Sequence, residues 1–137
     1  MIIDTLRSYI RTCPLVSDGK INVDYLGAKA GEYTIDVSPE TPIVKRYIDG
    51  GSLRKVNFVF GSREYYGADV LTNLENSGFY EEFSRWVEAQ NVKGNLPSLD
   101  GGKIAQSIET LSPGYLLDSA SDTAQYQIQC RLTYYQP

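Results

Sequence analysis

Apolar and polar positions alternate strictly near the end of the chain: Tyr126, Ile128, Cys130, Leu132 and Tyr134 are interleaved with Gln125, Gln127, Gln129, Arg131 and Thr133. A period of two sends successive side chains to opposite faces of a sheet, so this stretch predicts a strand with one apolar face and one polar, hardly charged face. Val56, Phe58 and Phe60 alternate with Asn57 and Val59 in the same way, and that strand is predicted to continue through Ser62 and Arg63. Residues 43–48 read as a strand just before it. Asp49-Gly50-Gly51 between the two tolerates positive φ and can reverse the chain into an antiparallel hairpin, the element around which the chain is organised. Weaker alternations at Ile21, Val23 and Tyr25 and at Tyr33, Ile35 and Val37 predict two earlier strands. Ser17-Asp18-Gly19 is the turn into the first, the small residues of 27–31 connect the two, and Pro39 and Pro42 stop the second. Taken in order, these four strands predict a β-meander.

The period lengthens elsewhere. Ile2, Leu6, Tyr9, Ile10 and Cys13 recur at helical spacing, which predicts an N-terminal amphipathic helix ended by Pro14. Over 69–90 the pattern is again helical but changes phase. Leu71 and Leu74 mark one stripe, while Phe79, Phe83, Trp86 and Val87 mark another, rotated by roughly a third of a turn. Gly costs about 1 kcal/mol inside a helix and Ser77 is a fit N-cap, so Asn76-Ser77-Gly78 predicts either two helices or one bent helix. The Trp86 stripe is read as core. Residues 91–103, rich in Gly, Asn, Asp and Pro, predict a long loop, either mobile or used. Residues 108–111 and 115–117 flank Ser112-Pro113-Gly114 as a broken strand. The expected fold is one α+β domain over 1–137: a largely antiparallel or mixed sheet, a meander plus C-terminal strands, packed against an N-terminal helix and a central bent helix.

Composition narrows the class. With 42% hydrophobic and 22% charged residues, the 137-residue chain can bury a core of its own, and no apolar run is long enough to cross a bilayer. Met1-Ile2-Ile3-Asp4 lacks the basic and apolar segments of a signal peptide. Cys13 and Cys130 fall in apolar phases without a CxxC pair, so they are expected to be small buried hydrophobes in a reducing compartment. The net charge of −4 argues against a surface dedicated to gripping phosphates.

Candidate chemistry is sparse. The chain has no histidine, which removes the commonest general base and the usual Ser-His and Cys-His pairs. Glu81-Glu82 are neighbours on a helix and point in different directions. Glu64, Glu75, Asp100, Asp118 and Asp122 show no acid/base or metal-ligand spacing, and neither Gly-Gly pair belongs to a phosphate loop. No enzyme activity, cofactor or metal is expected. Lys45-Arg46 and Arg54-Lys55 could form a basic spot with Tyr47, Tyr65 and Tyr66 interleaved, as in single-strand binders. The alternative is adjacent cations on opposite faces of ordinary strands. Eleven tyrosines in 137 residues favour protein–protein assembly, since tyrosine joins apolar area to a polar tip.

Several motifs together carry a resemblance: Lys45-Arg46-Tyr47-Ile48-Asp49-Gly50-Gly51-Ser52, Ser62-Arg63-Glu64-Tyr65-Tyr66-Gly67, Glu75-Asn76-Ser77-Gly78-Phe79-Tyr80 running to Trp86, Leu96-Pro97, Gly114-Tyr115-Leu116 and Tyr126-Gln127-Ile128-Gln129. In these, over nearly its whole length, the chain resembles the minor capsid or tail terminator proteins of long-tailed phages and prophages. The resemblance implies a small α/β sandwich and a structural, non-enzymatic role in the virion. The chain would be a subunit of a homo-oligomeric ring, commonly a hexamer, that caps the tail tube and joins it to the head. The implied partners are other copies of the chain, the major tail tube protein, the head connector proteins and DNA passing through the lumen without specific binding; no membrane is involved. On this reading Lys45, Arg46, Asp49, Gly50, Gly51, Arg54 and Lys55 form the subunit or tail-tube interface. The alternative is a small non-enzymatic binding module, with nucleic acid as its candidate ligand.

Overall fold

In the computed structural model the described residues are 2–16, 20–27, 30–38, 42–67, 69–120 and 122–137. The last predicted strand is the longest element of the sheet with its hairpin neighbour. β7 (Thr123–Gln136) and β4 (Ser52–Tyr65) each run for 14 residues and pair antiparallel along their full length, Ser52 opposite Gln136 and Tyr65 opposite Thr123. The alternation that predicts β7 is its burial pattern: Ala124, Tyr126, Ile128, Cys130, Leu132 and Tyr134 are all buried on one face. Phe58 and Phe60 stand on the same face of β4 beside Cys130 and Ile128. Complete burial of a side chain of this size contributes about 1.5–3 kcal/mol.

Each long strand carries two shorter ones end to end on its free edge. β2 (Glu32–Val37) and β3 (Ile43–Arg46) both pair antiparallel with β4, and β5 (Ile104–Thr110) and β6 (Tyr115–Ala120) both pair antiparallel with β7. β1 (Lys20–Val23) completes the sheet by pairing parallel with β2, Ile21 opposite Tyr33. The result is a mixed seven-stranded sheet, and the predicted meander is corrected in two places. β1 and β2 are parallel, and β2 and β3 lie in line along β4 instead of side by side. The residues after β1 make this possible. Asp24 takes φ of 54°, Tyr25 N–H donates to the Oγ1 of the buried Thr34, and Arg63 Nε donates to the Gly27 carbonyl, so the chain after β1 is tied to β2 and β4. The expected Ser17-Asp18-Gly19 turn, the Pro39 stop, and Ala28 and Lys29 of the 27–31 connection lie outside the described residues.

Both helices cover the apolar face. α1 (Ile2–Ile10) buries Leu6, Tyr9 and Ile10 and ends four residues before Pro14, which opens a single 3₁₀ turn, Pro14–Val16. Cys13 is therefore outside the helix, though still buried. α2 (Val70–Lys93) is one continuous helix of 24 residues, so of the two alternatives the single helix holds and a break into two helices at Asn76-Ser77-Gly78 does not occur. Its N-cap is Asp69 and not Ser77, with the carboxylate accepting from Leu71 N–H at 3.0 Å and from the Thr72 hydroxyl at 3.1 Å. Gly94 in the left-handed region ends it, with Asn95 N–H bonded to the Gln90 carbonyl. The helix carries through Gly78 because the residues on either side of it are held by the sheet. Asn76 donates to the Tyr65 carbonyl at 2.8 Å, and Tyr80 lies fully buried against Phe60 and Tyr126. Tertiary contacts outweigh the local cost of one glycine. The second stripe is core as predicted, with Phe83 stacked 4.7 Å from Phe60 and Trp86 5.5 Å from Tyr9. The first is not: Leu71 and Leu74 are exposed. The loop that follows begins at Gly94, and Leu96, Pro97 and Leu99 fold onto the core while Tyr9 Oη donates to the Asn95 carbonyl at 2.7 Å.

Candidate interface at the β3–β4 hairpin

The hairpin turn is built from backbone first. Tyr47 N–H bonds to the Gly51 carbonyl at 2.8 Å, Gly50 N–H to the Tyr47 carbonyl at 3.1 Å, and Gly51 N–H to Asp49 Oδ1 at 2.9 Å. Gly50 has φ of 93°, which a side chain would resist. Gly51 is needed for a different reason. Its φ is not in the left-handed region, but a Cβ there would lie within 3 Å of Tyr135 Oη, Cζ and Cε2, so the last turn of the hairpin closes down onto the Tyr135 ring. Tyr47 meets the same ring at 6.0 Å between centroids, and Lys45 Nζ stands 5.4 Å from the Tyr47 centroid.

The seven expected interface residues are thus at one end of the sheet, but they do not form one patch. Lys45, Arg46, Asp49 and Gly50 are exposed, Arg54 and Lys55 are half-buried, and Gly51 is buried under Tyr135. The register explains the split. Lys45 lies opposite Leu53, on the same face as Lys55 and Tyr135, whereas Arg46 lies opposite Ser52, on the same face as Arg54. Arg54 turns inward along its own strand and donates from Nε to Ser52 Oγ at 3.0 Å. Adjacent cations therefore stand on opposite faces, the second of the two readings of the sequence, and the interleaved basic spot does not form. Tyr65 and Tyr66 lie at the far end of β4, about 40 Å from the turn at roughly 3.3 Å per residue.

What the sequence reading missed is apolar. Ile48 at the tip is 108% exposed, and Val44 and Tyr47 are exposed beside it on the outer strand of the hairpin. A singly exposed aliphatic side chain is ordinary, so the available signal is the grouping of Val44, Tyr47 and Ile48 at one end of the hairpin. The helix-free face of the sheet matches the predicted polar surface. Gln127 and Gln129 both donate to Tyr115 Oη, at 2.5 and 3.2 Å, and Arg131 donates to Asn57 Oδ1 at 3.0 Å with Glu109 3.8 Å away. Among the described residues no group of three or more Cys, Asp or Glu is placed to hold a metal, and no helix is long and apolar enough to cross a membrane.

Both cysteines are buried and unpaired. Burial pushes both thiols up, at Cys13 against opposing backbone hydrogen bonds from Leu15 and Val16. Under α2, Ser62 Oγ and Tyr80 Oη are 2.6 Å apart, and Tyr80 donates to the Tyr126 carbonyl at 3.1 Å. Burial raises the carboxyl pKa of the neighbouring Glu64, partly offset by the Ser62 hydroxyl. This cluster is enclosed between helix and sheet and holds α2 in place.

Compared with known protein families and with curated proteins, the sequence matches none. The α+β fold with its two helices on one face of a mixed sheet is what the chain itself defines.

Proposed function

We propose that the chain is a non-enzymatic structural subunit of a ring-forming homo-oligomer: a tail terminator or head-tail joining protein of a long-tailed phage or prophage particle. The observation that carries this reading is the hairpin tip, a rigid turn that places a fully exposed Ile48 between Arg46 and Asp49. Ile48 adds nothing to the monomer's own core, and a neighbouring subunit or the tail tube would bury it. The sequence motifs supply the family expectation, including a hexameric ring with the tail tube protein on one side and the head connector on the other. The tyrosine load and the polar, hardly charged outer face suit further contacts. The net charge of −4 suits a lumen through which DNA slides without being held.

Native mass spectrometry over a range of concentrations, alone and with the tail tube protein of the same particle, tests this. Rings are expected; monomers under every condition would refute it.

A second reading rests on one cluster. Lys45, Tyr47, Lys55 and Tyr135 share the helix-free face, a cation and aromatic pairing that could hold single-stranded nucleic acid. Binding to single-stranded DNA that weakens steeply with salt would favour it, and no binding at low salt would dismiss it.

A further inference from the structure

We infer that the hairpin tip of one copy docks on the outer face of α2 of the next copy, with Ile48 seated against Ala89 and Val92. The inference rests on the ring reading and supplies its two contact surfaces. The knob is the single aliphatic side chain of a turn whose backbone is fixed by three hydrogen bonds, so little conformational freedom is lost when it is buried.

The receiving surface lies on the last two turns of α2. A shallow depression of about 350 Å³ is lined by Arg85, Glu88, Ala89, Val92 and Lys93. Helix geometry puts it where the subunit's own core cannot reach. Tyr80, Phe83, Val87 and Gln90 face the sheet, while at 100° per residue Arg85, Ala89 and Val92 fall within about 60° of one another on the opposite side. Val92 is 81% exposed as a result. The small side chain of Ala89 leaves the hollow, and Val92 with the stems of Arg85 and Lys93 gives it apolar walls.

The charges around the two surfaces are complementary. Asp49 follows the knob and would meet Arg85 and Lys93; Arg46, two residues before it, would meet Glu88. Each surface carries both signs, so the pairing fixes an orientation as well as a contact. Because knob and depression are different patches of one chain, the contact is heterologous. Repeated head to tail, it closes into a ring when the rotation allows.

The test uses the full chain with Ile48→Asp and Val92→Asp, two exposed positions where substitution is expected to leave the chain folded, with the circular dichroism spectrum retained and, for Val92→Asp in the last helical turn, a melting temperature lowered by a few degrees at most. Each variant alone is expected to be monomeric by native mass spectrometry under conditions where the unsubstituted chain is oligomeric. Mixed in equal amounts, they retain one depression and one knob between them, so they are expected to form a heterodimer and nothing larger. Arg46→Glu and Glu88→Lys are each expected to weaken assembly at least tenfold, and their combination to restore it. Oligomers formed by both Asp variants would overturn this contact and leave the ring reading standing. Two monomeric variants that give no heterodimer on mixing would overturn the head-to-tail pairing. An unsubstituted chain that never assembles would overturn the ring reading itself, and this contact with it.

Discussion

Tyr80 is the residue whose chemistry can be changed with the least disturbance of shape. It is 1% exposed, its ring lies between Phe79, Phe60 and Tyr126, and its hydroxyl donates to the Tyr126 carbonyl of β7 while accepting from Ser62 of β4. Tyr80→Phe keeps the ring contacts and removes both bonds, taking one partner each from a strand carbonyl and a serine hydroxyl held away from water. A buried polar group deprived of its partner costs about 1–3 kcal/mol. Taking about 2 kcal/mol for the pair, the melting temperature of a chain this size should fall by roughly 6–10 °C. Ser62→Ala should cost about 1 kcal/mol, since Tyr80 keeps its bond to Tyr126. The double variant should then be less destabilised than the sum of the singles by at least about 0.5 kcal/mol, because one bond is counted in both. Urea unfolding followed by circular dichroism measures all three, with an unchanged m-value showing that the folded state is the same. A Tyr80→Phe variant within about 0.5 kcal/mol of the parent, or strict additivity with Ser62→Ala, would refute the hydroxyl network as a fastening for α2.

Other substitutions probe separate parts of the molecule. Gly114→Ala should destabilise by about 1–3 kcal/mol, since the added Cβ would lie within 3 Å of Tyr80 Cβ, Cγ and Cδ1, and the same unfolding assay detects it. Gly78→Ala should instead stabilise by about 0.5–1 kcal/mol, because nothing stands within 4 Å of the new methyl group and the helix loses its most flexible residue. Glu64 has its carboxyl raised by burial from an ordinary value of 4.5, so the folded state prefers it protonated. Its contribution to stability is therefore full below the unfolded value and is lost as pH rises through the folded one. Glu64→Gln should raise stability at neutral pH and bring no gain below pH about 4, read from unfolding free energies across that range. Cys13 and Cys130, with thiols pushed up by burial, should resist an aromatic disulfide reagent in the native protein and react at once in denaturant.

The elements that were legible are those whose own residues decide them. β7 and the Phe58–Phe60 stretch of β4 alternate because one face is buried along its whole length, and Leu6, Tyr9 and Ile10 share a helix face for the same reason. What was not legible depends on partners distant in sequence. Nothing in Ile21–Val23 says that β2 will run parallel to it, since Tyr25 and Gly27 after β1 are held by Thr34 and Arg63, distant in sequence. The continuity of α2 depends on Asn76 and Tyr80 finding the sheet, which a local helix scale cannot register. At the candidate interface, the turn, the basic residues and the splitting of adjacent cations between opposite faces were all readable from a period of two; what was not readable is which cations of the two strands share a face. The turn pairs Arg46 with Ser52 and Lys45 with Leu53, and with a period of two that register decides which cations stand together; the bulge at Val44 shifts only the pairing of Ile43 beyond them. The exposure of Ile48 was not legible because an apolar residue before Asp49-Gly50-Gly51 has the same sequence context whether its side chain turns back onto the sheet or out to solvent.

The hairpin tip is also the end of a beam. β4 runs without interruption from the turn to Tyr65, registered against β7 over all 14 residues, and β3 adds a short brace beside it. A pull on the tip along the strand axis loads that ladder in shear, so many rungs must fail together; a pull across the sheet would peel them in succession. The resistance of such a contact is governed by the rate of unfolding under load rather than by equilibrium stability. A subunit gripped at Ile48 would therefore pass tension straight through its longest pair of strands, and the helices on the apolar face need carry none of it.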